Sequence, residues 1–139
     1  MKRLLISGMV ALLVALMVTM AVQAAPPQPL YFEKDCLSTF PPLCTIQDSN
    51  LTEVDLDGGT LTYLGPVMGN PHGLIISSEV LLEIDGGTAM GHFTFVVDHG
   101  YFTFRQGTGL LKGFHARGEI GPPDANFVFA LTGTYHFKP

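Results

Sequence analysis

The stretch AMGHFTFVVDHGYFTFRQ, residues 89–106, decides the fold class. Apolar and polar side chains alternate along both of its halves, and this period of two is typical of a β-strand with one buried face. Asp98-His99-Gly100-Tyr101 lies between the halves and can form a two-residue turn with His99-Gly100 at its tip. The stretch therefore predicts a β-hairpin.

The predicted hairpin has one apolar face and one mixed face. Its register pairs Val97 with Phe102 and Phe95 with Phe104, so that the rings share one side of the sheet. The opposite side carries Thr94, Val96, Thr103 and Arg105. This parity shows which side chains share a face, but it leaves open which face points into the protein.

The rest of the chain repeats this organisation of short β-type runs between glycine turns. Asp57-Gly58-Gly59-Thr60 and Asp85-Gly86-Gly87-Thr88 are matching turns, and glycine reaches the positive φ that such turns require. No stretch after the first 43 residues shows a helical period with caps. The eight runs span residues 44–49, 53–56, 60–64, 74–84, 89–97, 101–105, 110–120 and 126–137.

Eight runs joined by short turns predict an all-β domain over residues 44–139. We expect a single antiparallel eight-stranded β-barrel, because closure removes exposed sheet edges, and a two-sheet β-sandwich is the alternative. The interior of an eight-stranded barrel is either filled by side chains or wide enough for one small ligand.

The N-terminus predicts a signal peptide over residues 1–24. Lys2 and Arg3 form a positive start, residues 4–22 are almost wholly apolar, and Val22-Gln23-Ala24 offers the small residues that signal peptidase recognises. A retained membrane anchor is the alternative, since about 19 apolar residues reach the lower limit for spanning a bilayer. The prolines that follow favour cleavage. We therefore expect a secreted or periplasmic protein with no membrane attachment after cleavage.

Residues 25–43 form a proline-rich segment that leads into the barrel. Its prolines are expected to keep it out of regular sheet, and they are Pro26, Pro27, Pro29, Pro41 and Pro42. Cys36 and Cys44 lie on either side of Pro41 and Pro42. Two cysteines in an exported chain favour a disulfide between Cys36 and Cys44.

The charge of the chain argues against nucleic-acid partners. Without residues 1–24, five Lys and Arg oppose all 12 Asp and Glu, so the net charge is 5 − 12 = −7. An acidic domain repels phosphate backbones and anionic lipid surfaces. No motif typical of a metal site or of an activated serine occurs, so no metal and no cofactor are expected.

Glycines recur in a characteristic order towards the C-terminus. Gln106-Gly107-Thr108-Gly109-Leu110-Leu111-Lys112-Gly113-Phe114 is followed by Ala116-Arg117-Gly118-Glu119-Ile120 and by Leu131-Thr132-Gly133-Thr134-Tyr135. Over residues 86–137 this order resembles the allene oxide cyclase-like barrel group, to which the plant dirigent proteins are similar. The resemblance implies an eight-stranded antiparallel barrel whose hydrophobic lumen binds or steers reactive hydrophobic molecules. It implies a backbone role for Gly107, Gly109 and Gly113, and it assigns no catalytic residue.

His92, Arg105 and His136 are the candidate ligand-binding residues. They fall on the less apolar faces of the hairpin and of the last run. If those faces line the lumen, the three side chains could hold a polar ligand group or move a proton. If the faces point outward, the same side chains are solvated surface.

Three functions follow from these observations. The first is binding of a small hydrophobic molecule in the lumen without covalent chemistry. The second is a cofactor-free cyclase or isomerase that acts by holding its substrate's conformation. The third is a structural or interaction protein with a packed barrel whose outer face meets a partner. The sequence leaves open whether there is catalysis, and it does not identify a ligand or an oligomeric state.

Overall fold

The computed structural model describes residues 25–36, 43–65, 67–70 and 73–139. The predicted signal peptide over residues 1–24 lies outside the described residues. The strands are β1 (Gln28–Cys36), β2 (Leu43–Gln47), β3 (Thr60–Tyr63), β4 (Val67–Asn70), β5 (Gly73–Ile84), β6 (Gly87–Val96), β7 (His99–Gly109), β8 (Phe114–Ile120) and β9 (Val128–Phe137). Within these residues no helix is long and apolar enough to cross a membrane.

Closure of the sheet depends on β3 and β4, which pair in succession with the same strand. The sheet order is β3-β2-β1-β9-β8-β7-β6-β5-β4, and β3 also pairs with β5. Tyr63 of β3 lies opposite Val80 of β5, and Val67 of β4 lies opposite Ile76 further along β5. The two short strands thus act as one interrupted strand. The predicted single antiparallel eight-stranded barrel is confirmed, and the two-sheet sandwich is not the fold.

The hairpin of residues 89–106 forms, but its turn lies two residues earlier than predicted. Val97 and Asp98 make the turn, so that Phe95 faces Gly100 rather than Phe104, and the predicted register is wrong. A Cβ at Gly100 would lie 2.8 Å from a carbon of the Phe95 ring, so the ring covers a position that only glycine fits. Because the shift is an even number of residues, the aromatic side chains still share one face, which is the inner one.

Part of the proline-rich segment is a strand, contrary to our expectation for residues 25–43. β1 pairs with β2 on one side and with β9 on the other, so it belongs to the barrel wall. Pro29 lies near the start of β1, opposite Thr134, where one missing N–H interrupts the ladder least. Leu30, Phe32 and Lys34 alternate inward. Because Lys34 occupies one of the inward positions, the sequence of β1 does not show the alternation of apolar and polar residues that predicts a half-buried strand.

Residues 53–56, which we predicted as a strand, belong to the irregular connection between β2 and β3. Leu51 and Leu56 from this connection are buried in the core at the end of the barrel where β2 and β3 are joined. We predicted neither β1 nor β4, and residues 53–56 are not a strand. Because β3 and β4 act as one interrupted strand, the number of barrel strands is still eight.

The barrel interior is filled by side chains. Its largest fully buried residues are Phe32, Phe93, Phe102, Phe104, Phe114, Ile46, Leu56, Leu61, Leu82, Leu111, Ile120 and Leu131. The centroid of the Phe102 ring lies 5.9 Å from that of Phe32, 6.0 Å from that of Phe93 and 6.1 Å from that of Phe104. These spacings are those of aromatic rings in direct contact. Over the residues that the structure describes, the inward side chains pack against one another, as in the filled kind of eight-stranded barrel.

Candidate functional site

The three residues predicted from the sequence lie on the outer wall of the barrel. His92 on β6 and Arg105 on β7 are exposed, and His136 on β9 is half-buried. The inner faces of the same strands carry the aromatic rings instead. The condition under which these three side chains would act in a lumen is therefore not met.

Two neighbouring rows of polar side chains cross the outer wall of β6 to β9. In the first row His92, Thr103, Arg117 and Thr134 lie opposite one another on successive strands. In the second row His115 lies opposite His136, and their rings stack with centroids 5.3 Å apart and planes 16° apart. Arg105 lines the same depression as this pair.

These side chains surround a depression of about 340 Å³ that we call the outer groove. It is lined by Thr103, Arg105, His115, Arg117, Thr134 and His136, with Pro27, Phe104 and Ala116 completing its floor and edge. His92 lies instead in an adjoining depression, which shares Thr103 and Arg105 with the outer groove and also contains Glu79. The structure thus brings Arg105 and His136 together and sets His92 beside them.

Arg105 lies at a β-bulge, which lets the next residue, Gln106, point outward as well. Met90 pairs with Gln106 and Gly91 pairs with Phe104, so Arg105 is an additional residue on β7 with no partner on β6. Arg105 and Gln106 are consecutive and are both exposed, which breaks the alternation of the strand. Bulges commonly change the direction of a side chain in this way, and they are frequent next to functional sites.

The outer groove is positively charged in an acidic protein. Within the described ranges, all 12 Asp and Glu occur with only five Lys and Arg, and Arg105 and Arg117 both line the groove. The only ion pair found among these residues joins His99 to Asp98, far along the sheet from the groove. The two guanidinium groups therefore have no carboxylate partner there. Burial holds the pKa of His115 below its ordinary value, and the charges of Lys138, His136 and Arg105 act in the same direction.

A second unusual group is the Lys34 amine in the barrel interior. Lys34 is 3% exposed, and its Nζ donates a hydrogen bond to the Tyr63 hydroxyl at 2.6 Å. The rings of Tyr63, Phe93 and Phe129 surround Nζ, with centroids at 5.1, 5.2 and 4.7 Å. Burial lowers the pKa of Lys34 from 10.5 to about 7 and raises the pKa of Tyr63. The amine therefore loses its charge as the pH rises through about 7, well below the range of an exposed lysine.

The predicted disulfide is confirmed. Cys36 and Cys44 are directly opposite in the β1–β2 ladder and are bonded. The bond is compatible with an extracellular or periplasmic location. In the part of the chain that the structure describes, no group of three or more His, Cys, Asp or Glu side chains is placed to hold a metal ion.

Comparison with protein-family models, curated proteins and solved structures finds no match for this chain. The resemblance to the allene oxide cyclase-like group therefore stays a prediction that rests on the glycine pattern. Sequence reasoning missed His115, Arg117 and Thr134, although alternation along residues 114–120 places His115 and Arg117 on one face. No sequence signal shows that this face adjoins Arg105.

Proposed function

We propose that this protein is an exported, packed β-barrel that acts through its outer wall and binds a negatively charged ligand in the outer groove. This is the third of the three functions that the sequence allows, with the chemistry of the partner added. The signal-peptide pattern and the Cys36–Cys44 bond support export.

The observation that carries the proposal is that Arg105 and Arg117 share a groove without a carboxylate. With 12 acidic residues available, interspersed charges of both signs are the arrangement that a plain soluble surface usually adopts. Two guanidinium groups in one groove repel each other, and a bound anion offsets that repulsion. Guanidinium groups also match the oxygen pairs of carboxylates and of phosphate or sulfate groups.

The two lumen functions remain predictions, and the filled interior weighs against them. A ligand in the lumen would have to displace buried rings such as Phe93 and Phe102, which contact each other and their neighbours. Each displaced ring would forfeit roughly 1.5–3 kcal/mol of burial. The outer groove needs no such rearrangement.

An NMR titration tests the proposal. The protein, exported with its own signal segment and labelled with ¹⁵N, is titrated with inorganic phosphate at about pH 7. We expect saturable shifts of the amides of residues 103–105, 115–117 and 134–136, and their loss in Arg105→Gln and Arg117→Gln. Lys112→Gln is the matched control, because Lys112 is an exposed cation outside the groove. Shifts that are absent, or equal in all variants, would overturn the proposal.

Native mass spectrometry of the same preparation tests the lumen alternative. A non-covalent adduct that disappears on denaturation and shifts the ring resonances of Phe93 or Phe102 would favour lumen binding instead. A bare mass, repeated after addition of host lipid extract, would agree with a filled barrel.

A further inference from the structure

The stacked histidine pair gives the outer groove a part that titrates. The His115 and His136 rings are nearly parallel at 5.3 Å, and both side chains are half-buried. Two imidazolium rings at this spacing would repel each other, and an anion bound beside them would offset that repulsion.

Charged groups on several neighbouring elements lie around this pair. Arg105 from β7 and Lys138 after β9 oppose protonation of His115, and Arg117 lies on the strand of His115 itself. Glu53 shares a separate depression with His136 and already accepts a hydrogen bond from the Tyr135 hydroxyl at 2.6 Å. Glu79 shares a depression with Arg105, and Glu119 shares one with Arg117, but none of these three carboxylates lines the outer groove. Burial and these neighbouring cations therefore hold the pKa of His115 below its ordinary value.

The volume and charge of the groove indicate a small ligand rather than a polymer. A depression of about 340 Å³ is at the small end of the range for ligand sites. A long polyanion would extend beyond the groove onto a surface that carries an excess of carboxylates, and it would be repelled there. Two guanidinium groups and two imidazoles together supply between two and four positive charges, which suits an anion of charge two or more.

We infer that the outer groove holds a small oxyanion with at least two negative charges, namely a phosphate or sulfate group, and that the His115–His136 pair tightens this binding on acidification. The inference rests on the proposed function and adds to it the class of the ligand and its regulation. Binding and proton uptake are linked, so an anion that favours the charged pair gains affinity as pH falls through the histidine range.

Sulfate is the appropriate probe for the pH dependence, because it stays doubly charged between about pH 8 and about pH 5, whereas phosphate itself takes up a proton. Sulfate dissociation constants are measured by NMR at both pH values for the wild type, His115→Gln, His136→Gln, Arg105→Gln and the control Lys112→Gln. A phosphorylated and a sulfated monosaccharide, compared at about pH 8, distinguish the two sources of the oxyanion.

We expect the wild type and Lys112→Gln to bind sulfate at least about tenfold more tightly at the lower pH. The two histidine variants should keep the affinity measured at the higher pH and lose most of the gain, whereas Arg105→Gln should weaken binding at both. Equal affinity at both pH values, or a gain that survives in the histidine variants, would overturn the inference and leave anion binding intact. Absence of sulfate and phosphate shifts at either pH would overturn the proposed function as well.

Discussion

Replacement of Lys34 by methionine should change how the stability of the barrel depends on pH. The Lys34 amine is buried with no carboxylate beside it, and its pKa is about 7 in the folded protein against 10.5 as its ordinary value. Between these two values the unfolded chain binds a proton that the folded chain has released. Stability therefore rises with pH across this window and levels off above it.

The magnitude follows from the two pKa values. Each pH unit within the window contributes about 1.4 kcal/mol. Between about pH 7 and about pH 10 the free energy of unfolding of the wild type should rise by roughly 3–4 kcal/mol from this group alone. The comparison ends at about pH 10, because above that pH the tyrosines of the unfolded chain ionise and add their own pH dependence to the free energy of unfolding.

Lys34→Met removes this slope but also leaves the Tyr63 hydroxyl without its buried partner, which costs about 1–3 kcal/mol. The single variant should therefore gain little stability at about pH 7, whereas Lys34→Met with Tyr63→Phe should gain about 2–4 kcal/mol there. Urea unfolding followed by far-ultraviolet circular dichroism at several pH values measures both. Lys112→Met controls for loss of an exposed lysine. If the profiles of the wild type and of Lys34→Met are parallel between about pH 7 and about pH 10, the reasoning is wrong.

Three further changes test the packing and the backbone by urea or thermal unfolding. Gly118→Ala should cost about 2–3 kcal/mol or more, because the new Cβ would lie 2.0 Å from the Thr132 carbonyl oxygen, and Gly121→Ala, with 3.6 Å to its nearest atom, should be nearly neutral. Val97→Gly should raise the melting temperature, because Val97 adopts a φ of 64° that costs a β-branched residue about 1–2 kcal/mol; a lower melting temperature would contradict this. Replacing both disulfide cysteines by serine should cost about 2–3 kcal/mol, the entropy of the short loop that the bond closes, and unchanged stability would show that this loop is ordered in the unfolded chain.

The faces of the strands could be predicted from the sequence, but the register of the hairpin could not. Alternation places Phe95, Phe102 and Phe104 on one face whichever turn is chosen, because side chains in a strand repeat every two residues. The position of the turn depends on whether Gly100 lies in the turn itself or in the strand opposite a bulky side chain. We predicted it at the tip of the turn, where glycine is common, whereas the structure uses it beneath the Phe95 ring and leaves the positive φ to Val97.

The first strand and the outer groove could not be predicted for a different reason. β1 contains a proline and an inward lysine, and each feature is evidence against a buried strand when it is considered alone. The outer groove combines side chains from β7, β8 and β9, which lie far apart in the sequence until the strand order and the registers are known. The predicted residues Arg105 and His136 could be placed on polar faces, but not next to His115 and Arg117.

The packed core and the site on the outer wall meet at Phe104 and Arg105 of β7. Gly91 lies beneath the Phe104 ring, since a Cβ there would be 2.6 Å from a ring carbon and 2.3 Å from the Thr103 carbonyl oxygen. This close approach lies at the step in register between β6 and β7, and the additional residue of that step is Arg105. The Phe104 ring packs in the core while the next residue points into the outer groove. Alternation along β7 thus places the Phe104 ring in the core and the Arg105 guanidinium group in the outer groove, so the packing of the ring holds in place the strand that carries the groove's guanidinium group.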